Sequence, residues 1–492
     1  MKIIDVDSGV IGCGIVGSYL AHRLKSKGER VALVDCGPPP ETAPSPPFPP
    51  VIAPLRIHYG ITDGRHHELG GNSAYWGGAM LRIPPEDLAG ILNADQFPAE
   101  GLAAAYGRVE SMLHFPHSSQ RIPLQSGHMQ IPDVQQTAAL VLPSAAKHFF
   151  RSLIAHRLTE FTSLFGTRVT SLEVQAGRIR SLTVQDPAGA CTLIRADRFF
   201  LTMGVVDSLL FAMKFQAELF GQTPPGLARH LHDHLSTPLF RIFSDRKGTF
   251  LKQMVPHFNR GFLEVPRFEL TSSGTWGARA FVHFVFDFDS VAVYRDIKRL
   301  MALRQARSAP LAMAKQAINI ARHVGELSQI GFHRFAANRL HVGADVPVTA
   351  VLDFESFPHR DNHLVSPADN DSAAAEMRWD IRTEDQAAFR DLFPKVQLLL
   401  ESLAQEHRFS MQPCSDFSTE AALNQHLLRT AKDILHLGGG LQSLGGEARS
   451  VLSADLSFPS AANFQVVSTA SLARGSVANP THSLLAIAEF LA

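Results

Sequence analysis

Ser8-Gly9-Val10-Ile11-Gly12-Cys13-Gly14-Ile15-Val16-Gly17, with Val31-Ala32-Leu33-Val34-Asp35 a short distance on, is the stretch that decides the fold. It reads as a buried strand, a glycine turn, a helix patterned by Val16, Leu20 and Leu24, a second strand and an acid. Gly12 permits a sharp turn, Gly14 lets the backbone approach a diphosphate, and Gly17 lets helix and strand pack closely. The first N–H groups of the helix have no partner within it, and the helix dipole favours negative charge in front of them. Asp35 stands where a carboxylate accepts hydrogen bonds from ribose hydroxyls and disfavours a 2′-phosphate. The expected contacts are Gly12, Gly14, Ile15, Val16, Gly17, Asp35 and Cys36. They predict an adenine dinucleotide, and this motif alone does not separate NAD from FAD.

The chain has 492 residues, more than one ordinary core holds, so two domains are expected. Lys+Arg and Asp+Glu balance at 46 each, which gives no sign of nucleic acid or an anionic membrane as partner. Cys13, Cys36, Cys191 and Cys414 form no C-x-x-C pair and read as reduced thiols of a cytoplasmic protein. Asp5 and Asp7 interrupt any signal-peptide core, and no run approaches the roughly 18 to 20 apolar residues that span a bilayer. His66-His67-Glu68 is the one metal-like run, but neighbouring residues project differently and no third spaced ligand follows, so no metal is expected.

Residues 38–50 are too rich in proline for helix or central strand and read as a stiff surface loop. Residues 167–204 read as a β-meander feeding a continuous apolar strand that ends at Gly204, as a buried parallel strand does on reaching a ligand. The stretches 278–292 and 347–356 alternate like strands, whereas 294–327 and 383–405 carry helical patterning. The predicted class is therefore mixed α/β, a Rossmann-like dinucleotide domain with an inserted substrate domain on a mixed or antiparallel sheet backed by helices. The boundaries fall at 1–85, 150–238 and 435–492 for the first domain, and at 86–149 and 239–434 for the second.

Four further segments follow in order: Gly70-Gly71-Asn72-Ser73-Ala74-Tyr75-Trp76-Gly77-Gly78, Leu201-Thr202-Met203-Gly204-Val205-Val206-Asp207-Ser208, Leu231-His232-Asp233-His234, and Val466-Val467-Ser468-Thr469-Ala470-Ser471 with Ala478-Asn479-Pro480-Thr481 before an apolar helix. The ordered set resembles the glucose–methanol–choline (GMC) oxidoreductases, flavoproteins that oxidise alcohols, over essentially the whole chain. Glu355 to Asn362, with Trp379 and Asp380, is similar to the family's substrate-domain strand pair. The resemblance implies FAD, held by Gly71, Asn72, Ser73, Trp76, Thr202, Gly204, Ser468, Thr469, Pro480 and Thr481, with the backbone of Val169 on the adenine. Where the family attaches its flavin covalently it uses a histidine in the glycine loop. Tyr75 takes that place here, so the FAD is expected to be noncovalent.

The resemblance also implies a catalytic pair, His436 ahead of a glycine run and Asn479 ahead of the last helix. Hydrogen leaves a carbinol carbon more readily once the hydroxyl has lost its proton. An imidazole of ordinary pKa about 6.5 accepts that proton near neutrality. The Asn479 amide would donate to the same oxygen, although Asn-Pro is also an ordinary helix N-cap. The positive end of the last helix would favour negative charge on a reduced flavin. Asp233-His234 is expected to be a structural turn. The glycine run reads Gly438-Gly439-Gly440-Leu441-Gln442-Ser443 where the family has G-T-x-R-M-G, and Thr469 replaces its usual Asp. The expected reaction is oxidation of a CH–OH group, first of a sugar or glycoside and otherwise of an apolar, sterol-like or aromatic alcohol. Oxygen and other electron acceptors stay open. Alternatives are an FAD-containing lyase of the same family and an NAD dehydrogenase.

Overall fold

The strands that end at the glycine turn, at Asp35 and at Thr202 lie side by side. Lys2–Ile11 sits between Val31–Asp35 and Cys191–Leu201, parallel to both, with Ile11 opposite Val34 on one side and Leu201 on the other. Gly12, Asp35 and Thr202 therefore emerge together at the carboxyl edge of the sheet, the edge at which open α/β sheets bind ligands. Thr162–Phe165 and Ala461–Val466 continue the parallel order outward. The predicted meander, Arg168–Gln175 and Arg178–Gln185, runs antiparallel onto Cys191–Leu201. This computed structural model describes all residues except 40–49, 119, 127–128, 144–148, 245–253, 275, 306–309, 344–345, 367–373 and 443–450. Most of the proline-rich loop, and much of the divergent glycine-rich run after Leu441, lie outside the described residues.

Parallel strands buried on both faces need apolar side chains throughout, and every residue of Val31–Asp35 is buried. The helix Ile15–Ser26 buries Val16, Tyr19, Leu20 and Leu24, which share one face at helical spacing. The last helix, Pro480–Leu491, lies against it and against Ala99–Met112. Its Leu484, Leu485 and Ile487 are buried, each stabilising the fold by roughly 1.5–3 kcal/mol relative to exposure.

The second sheet has ten strands among the described residues, and the alternating segments of the sequence, Arg279–Phe286 and Val348–Glu355, are neighbours at its centre. Across one row, Thr237, Leu352, Val282 and Phe268 stand opposite one another. This apolar face packs on the long helix Thr383–His407, where Phe389 stacks on Phe354. The adjacent row, Ser236, Asp353, Phe281 and Glu269, belongs to the other face, which is largely polar yet buried. The helical stretch at 294–327 is three helices, Ala292–Gln305, Pro310–Ala321 and Val324–Phe335.

Candidate cofactor and active site

A cavity of about 580 Å³ opens at the carboxyl edge of the parallel sheet. Gly12 turns there at φ +101°, and a Cβ on it would lie 2.8 Å from the Met203 backbone nitrogen, so only glycine fits. Gly14 caps the first helix with no side-chain hydrogen bond, and the first turn holds no acid. A Cβ on Gly14 would meet nothing within 4 Å. Open N–H donors at a helix N-terminus thus face a cavity with backbone clearance, which fits a diphosphate. Asp35 accepts from the Cys13 N–H at 2.5 Å and the Gly37 N–H at 2.7 Å, and burial pushes its carboxyl pKa up against those bonds. Each oxygen keeps a second lone pair for a ribose hydroxyl.

Gly12, Gly14, Ile15, Val16, Asp35, Cys36, Gly71, Asn72, Trp76, Val169, Thr202, Gly204, Ser468, Thr469, Pro480 and Thr481 all line this cavity, as do His436 and Asn479. Two expected contacts do not line it. Gly17 faces the turn, where a Cβ would come within 1.8 Å of the Gly12 carbonyl oxygen, so its role is the close packing of helix on strand. Ser73 is buried beneath the loop beside Gly70. Tyr75 lines the wall and stacks on His66 with ring centroids 3.7 Å apart.

The wall carries charge that the sequence did not announce. Asp207 pairs with Arg65 at 2.7 Å and with His67 at 3.3 Å. Burial alone would lower the His67 pKa, but Asp207 and the Cys36 thiol raise it to about 10. Burial would raise that of Asp207, yet His67 and Arg65 hold it at about 2. His67, weighed in sequence only as a metal ligand, is a cation paired with Asp207 on the cavity wall. His58, Asp233 and Asp433 form a buried cluster of possible ligand atoms. Asp433 accepts the Tyr59 and Gly60 N–H groups at 2.8 Å, and Asp233 Oδ1 accepts those of His234 and His436. Backbone anchoring therefore accounts for Asp433 and for Asp233 Oδ1, whereas Asp233 Oδ2 and both His58 ring nitrogens have no hydrogen-bond partner among the described residues.

At the far end Asn479 and His436, remote in sequence, touch: Asn479 Nδ2 lies 2.9 Å from His436 Nε2. Although Asn479 is the N-cap of the last helix, its side chain makes no capping bond. On the other side of the ring, His436 Nδ1 lies 3.2 Å from His234 Nδ1, and His234 Nε2 lies 2.7 Å from the Ser476 carbonyl oxygen. Proton positions follow in order. A carbonyl only accepts, so His234 carries its proton on Nε2 and accepts at Nδ1. His436 then donates from Nδ1, which leaves its Nε2 lone pair to accept from the Asn479 amide. Burial lowers the pKa of both imidazoles, and that of His436 falls to about 3, His234 and Arg267 adding to the effect while Asp353 opposes it. This replaces the unperturbed base expected from sequence. His234, expected to be part of a turn, fixes the tautomer of its neighbour. Leu435 and Ser476, non-glycine residues at φ +64° and +58°, hold the two ends of this chain in left-handed backbone.

Residues 358–488 match the model of the GMC oxidoreductase family's C-terminal part. No curated protein sequence matches. Among solved structures, pyridoxine 4-oxidase from Mesorbium loti aligns with 98% of this chain and 97% of its own at a TM-score of 0.55 and 16% identity. A formate oxidase aligns with 100% of this chain and 98% of its own at 0.56 and 12%. A variant of the Aspergillus oryzae formate oxidase, described for FAD modification, aligns with the same shares at 0.55 and 12%. The family match falls on the segment that carries His436 and Asn479, and the solved structures extend a likeness in fold, and in fold alone, over the full length of the chain.

Proposed function

We propose that the enzyme oxidises a CH–OH group of a small hydroxylated molecule, with His436 Nε2 as the base and the Asn479 amide as the donor that orients the substrate oxygen. The observation that carries this reading is the run of directional hydrogen bonds from the Ser476 carbonyl through His234, which leaves an unprotonated Nε2 pointing at Asn479. A substrate hydroxyl entering between the two donates to Nε2 and accepts from Nδ2, replacing the direct 2.9 Å contact. Bound FAD supplies the two-electron acceptor for the hydrogen that leaves carbon. Gly12, Gly14 and the first turn of the helix would hold its diphosphate, Asp35 its ribose, and Val169 its adenine. Arg65 and His67 add positive charge nearby, and the start of the last helix at Pro480 favours negative charge on the reduced ring. A sugar or other polyol is the substrate class put first, as the resemblance of the sequence implies. The division of labour between a dinucleotide domain and a substrate domain follows the same reading.

The FAD is held without a covalent bond, since Tyr75 occupies the loop position of an attaching histidine. Acid precipitation of the yellow enzyme should release the flavin into the supernatant. Colour retained in the pellet would contradict this and turn attention to His66, which stacks on Tyr75. The central test is anaerobic flavin bleaching with a panel of sugars and alcohols. His436→Ala should slow bleaching by roughly 10²-fold or more. An unchanged rate would remove His436 from the reaction.

A further inference from the structure

Between the strands Arg279–Phe286 and Val348–Glu355 the chain leaves the second sheet for the three helices Ala292–Gln305, Pro310–Ala321 and Val324–Phe335. Gln316 is the one buried residue of the second helix, and the third buries none. Leu311, Ile318, Val324, Phe332 and Phe335 are each between 61% and 82% exposed. Helices of this length are marginal in water unless an apolar face is packed, and monomeric proteins rarely leave such faces bare. The charge of the segment is equally one-sided. Residues 292–339 hold nine Lys and Arg against two Asp and Glu, in a chain whose totals balance. Lys315 and Arg322 stand four residues beyond Leu311 and Ile318, so cation and apolar side chain share a face. Neither makes an ion pair among the described residues.

We propose that this helical insertion seats the enzyme on the surface of an anionic lipid bilayer. The exposed apolar side chains enter the boundary of headgroups and acyl chains, while Lys315, Arg322 and their neighbours meet lipid phosphates and keep their stems along the apolar layer. Charge selects this occupant over a second copy, because a two-fold contact would press one cationic patch against its equal. Among the described residues no helix is long and apolar enough to cross a membrane, so the segment lies on the surface.

The test is flotation of the full-length, flavin-loaded enzyme with vesicles of phosphatidylcholine alone or mixed with phosphatidylglycerol. Binding should be about ten-fold stronger to the mixed vesicles and should weaken at high salt. Two variants, Leu311→Ser/Phe332→Ser/Phe335→Ser and Lys315→Glu/Arg322→Glu, should each lose most of it. Both should keep the flavin content, bleaching rate and unfolding midpoint of the parent, because these side chains are on the surface. Failure to float, equal binding to both vesicle types, or binding untouched by either variant would overturn the proposal. So would a concentration-dependent dimer that the variants abolish, which would assign the face to a second copy.

Discussion

A single imidazole shows how much chemistry lies below the resolution of a motif. His436 and Asn479 are legible in sequence from their glycine and proline contexts, but nothing there states which ring nitrogen bears the proton. That follows only when His234, some two hundred residues earlier, is seen to present Nδ1 to His436. His234→Leu should leave the Nδ1 proton of His436 without an acceptor and free the ring to take the other tautomer. Flavin reduction should then slow by about 10²-fold with little change in substrate affinity. A second consequence separates this from a packing defect. The pKa of His436 is held near 3 first by burial and then by His234, so the parent should show no acid limb from this base near 6.5. Loss of His234 should raise that pKa and carry the limb of the pH–rate profile upward. A profile that keeps its shape while the rate falls would mark His234 as structural only.

Elements, in contrast, were largely readable. The strand–turn–helix from Lys2 to Ser26, the meander and the last helix lie where periodicity and glycines put them, because each follows from local chemistry. What local chemistry does not encode is which loops meet at the sheet edge. Arg65 and His67 come from the segment ahead of the glycine loop, and Asp207 from the first turn of the helix Val205–Lys214, yet the three form one cluster on the cavity wall. His67 keeps its charge up to about pH 10, and its pairing stabilises the fold fully below 6.5 and is lost as pH rises through that upper value. Affinity for FAD should therefore hold steady up to about pH 10 in the parent and weaken above it, by equilibrium titration of the apoprotein. In His67→Gln it should be lower at pH 7, by about ten-fold for one lost charge contact, and flat over the alkaline range.

At the scale of the whole molecule, both ends of the chain close onto one unit. The composition could suggest two cores, and it balanced the charges without showing that the cations gather in one insertion. It gave no hint of the carboxylate that ties the ends together. Glu489, buried in the last helix, accepts from Tyr19 at 2.8 Å and Arg23 at 2.6 Å in the first helix, and from Arg108 at 2.6 Å in Ala99–Met112. Burial opposes its ionisation, but these three donors prevail and hold its pKa below the ordinary 4.5. The sign follows: the network's stabilisation is complete above 4.5 and drains away as pH falls through the lower, folded value. Glu489→Gln keeps the shape and removes the charge, leaving Tyr19 and two guanidinium groups short of an acceptor. The loss at pH 7 should be about 3 kcal/mol, the low end for breaking a buried pair because Arg23 and Arg108 still reach water. Denaturant unfolding of the flavin-loaded protein at descending pH should show the gap between parent and variant narrowing below pH 4.5. A gap that stays constant into acid would mean that Glu489 acts through packing. Because Asn479 stands at the head of the same helix, the variant should also bleach more slowly near its unfolding midpoint, when the helix begins to part from its neighbours.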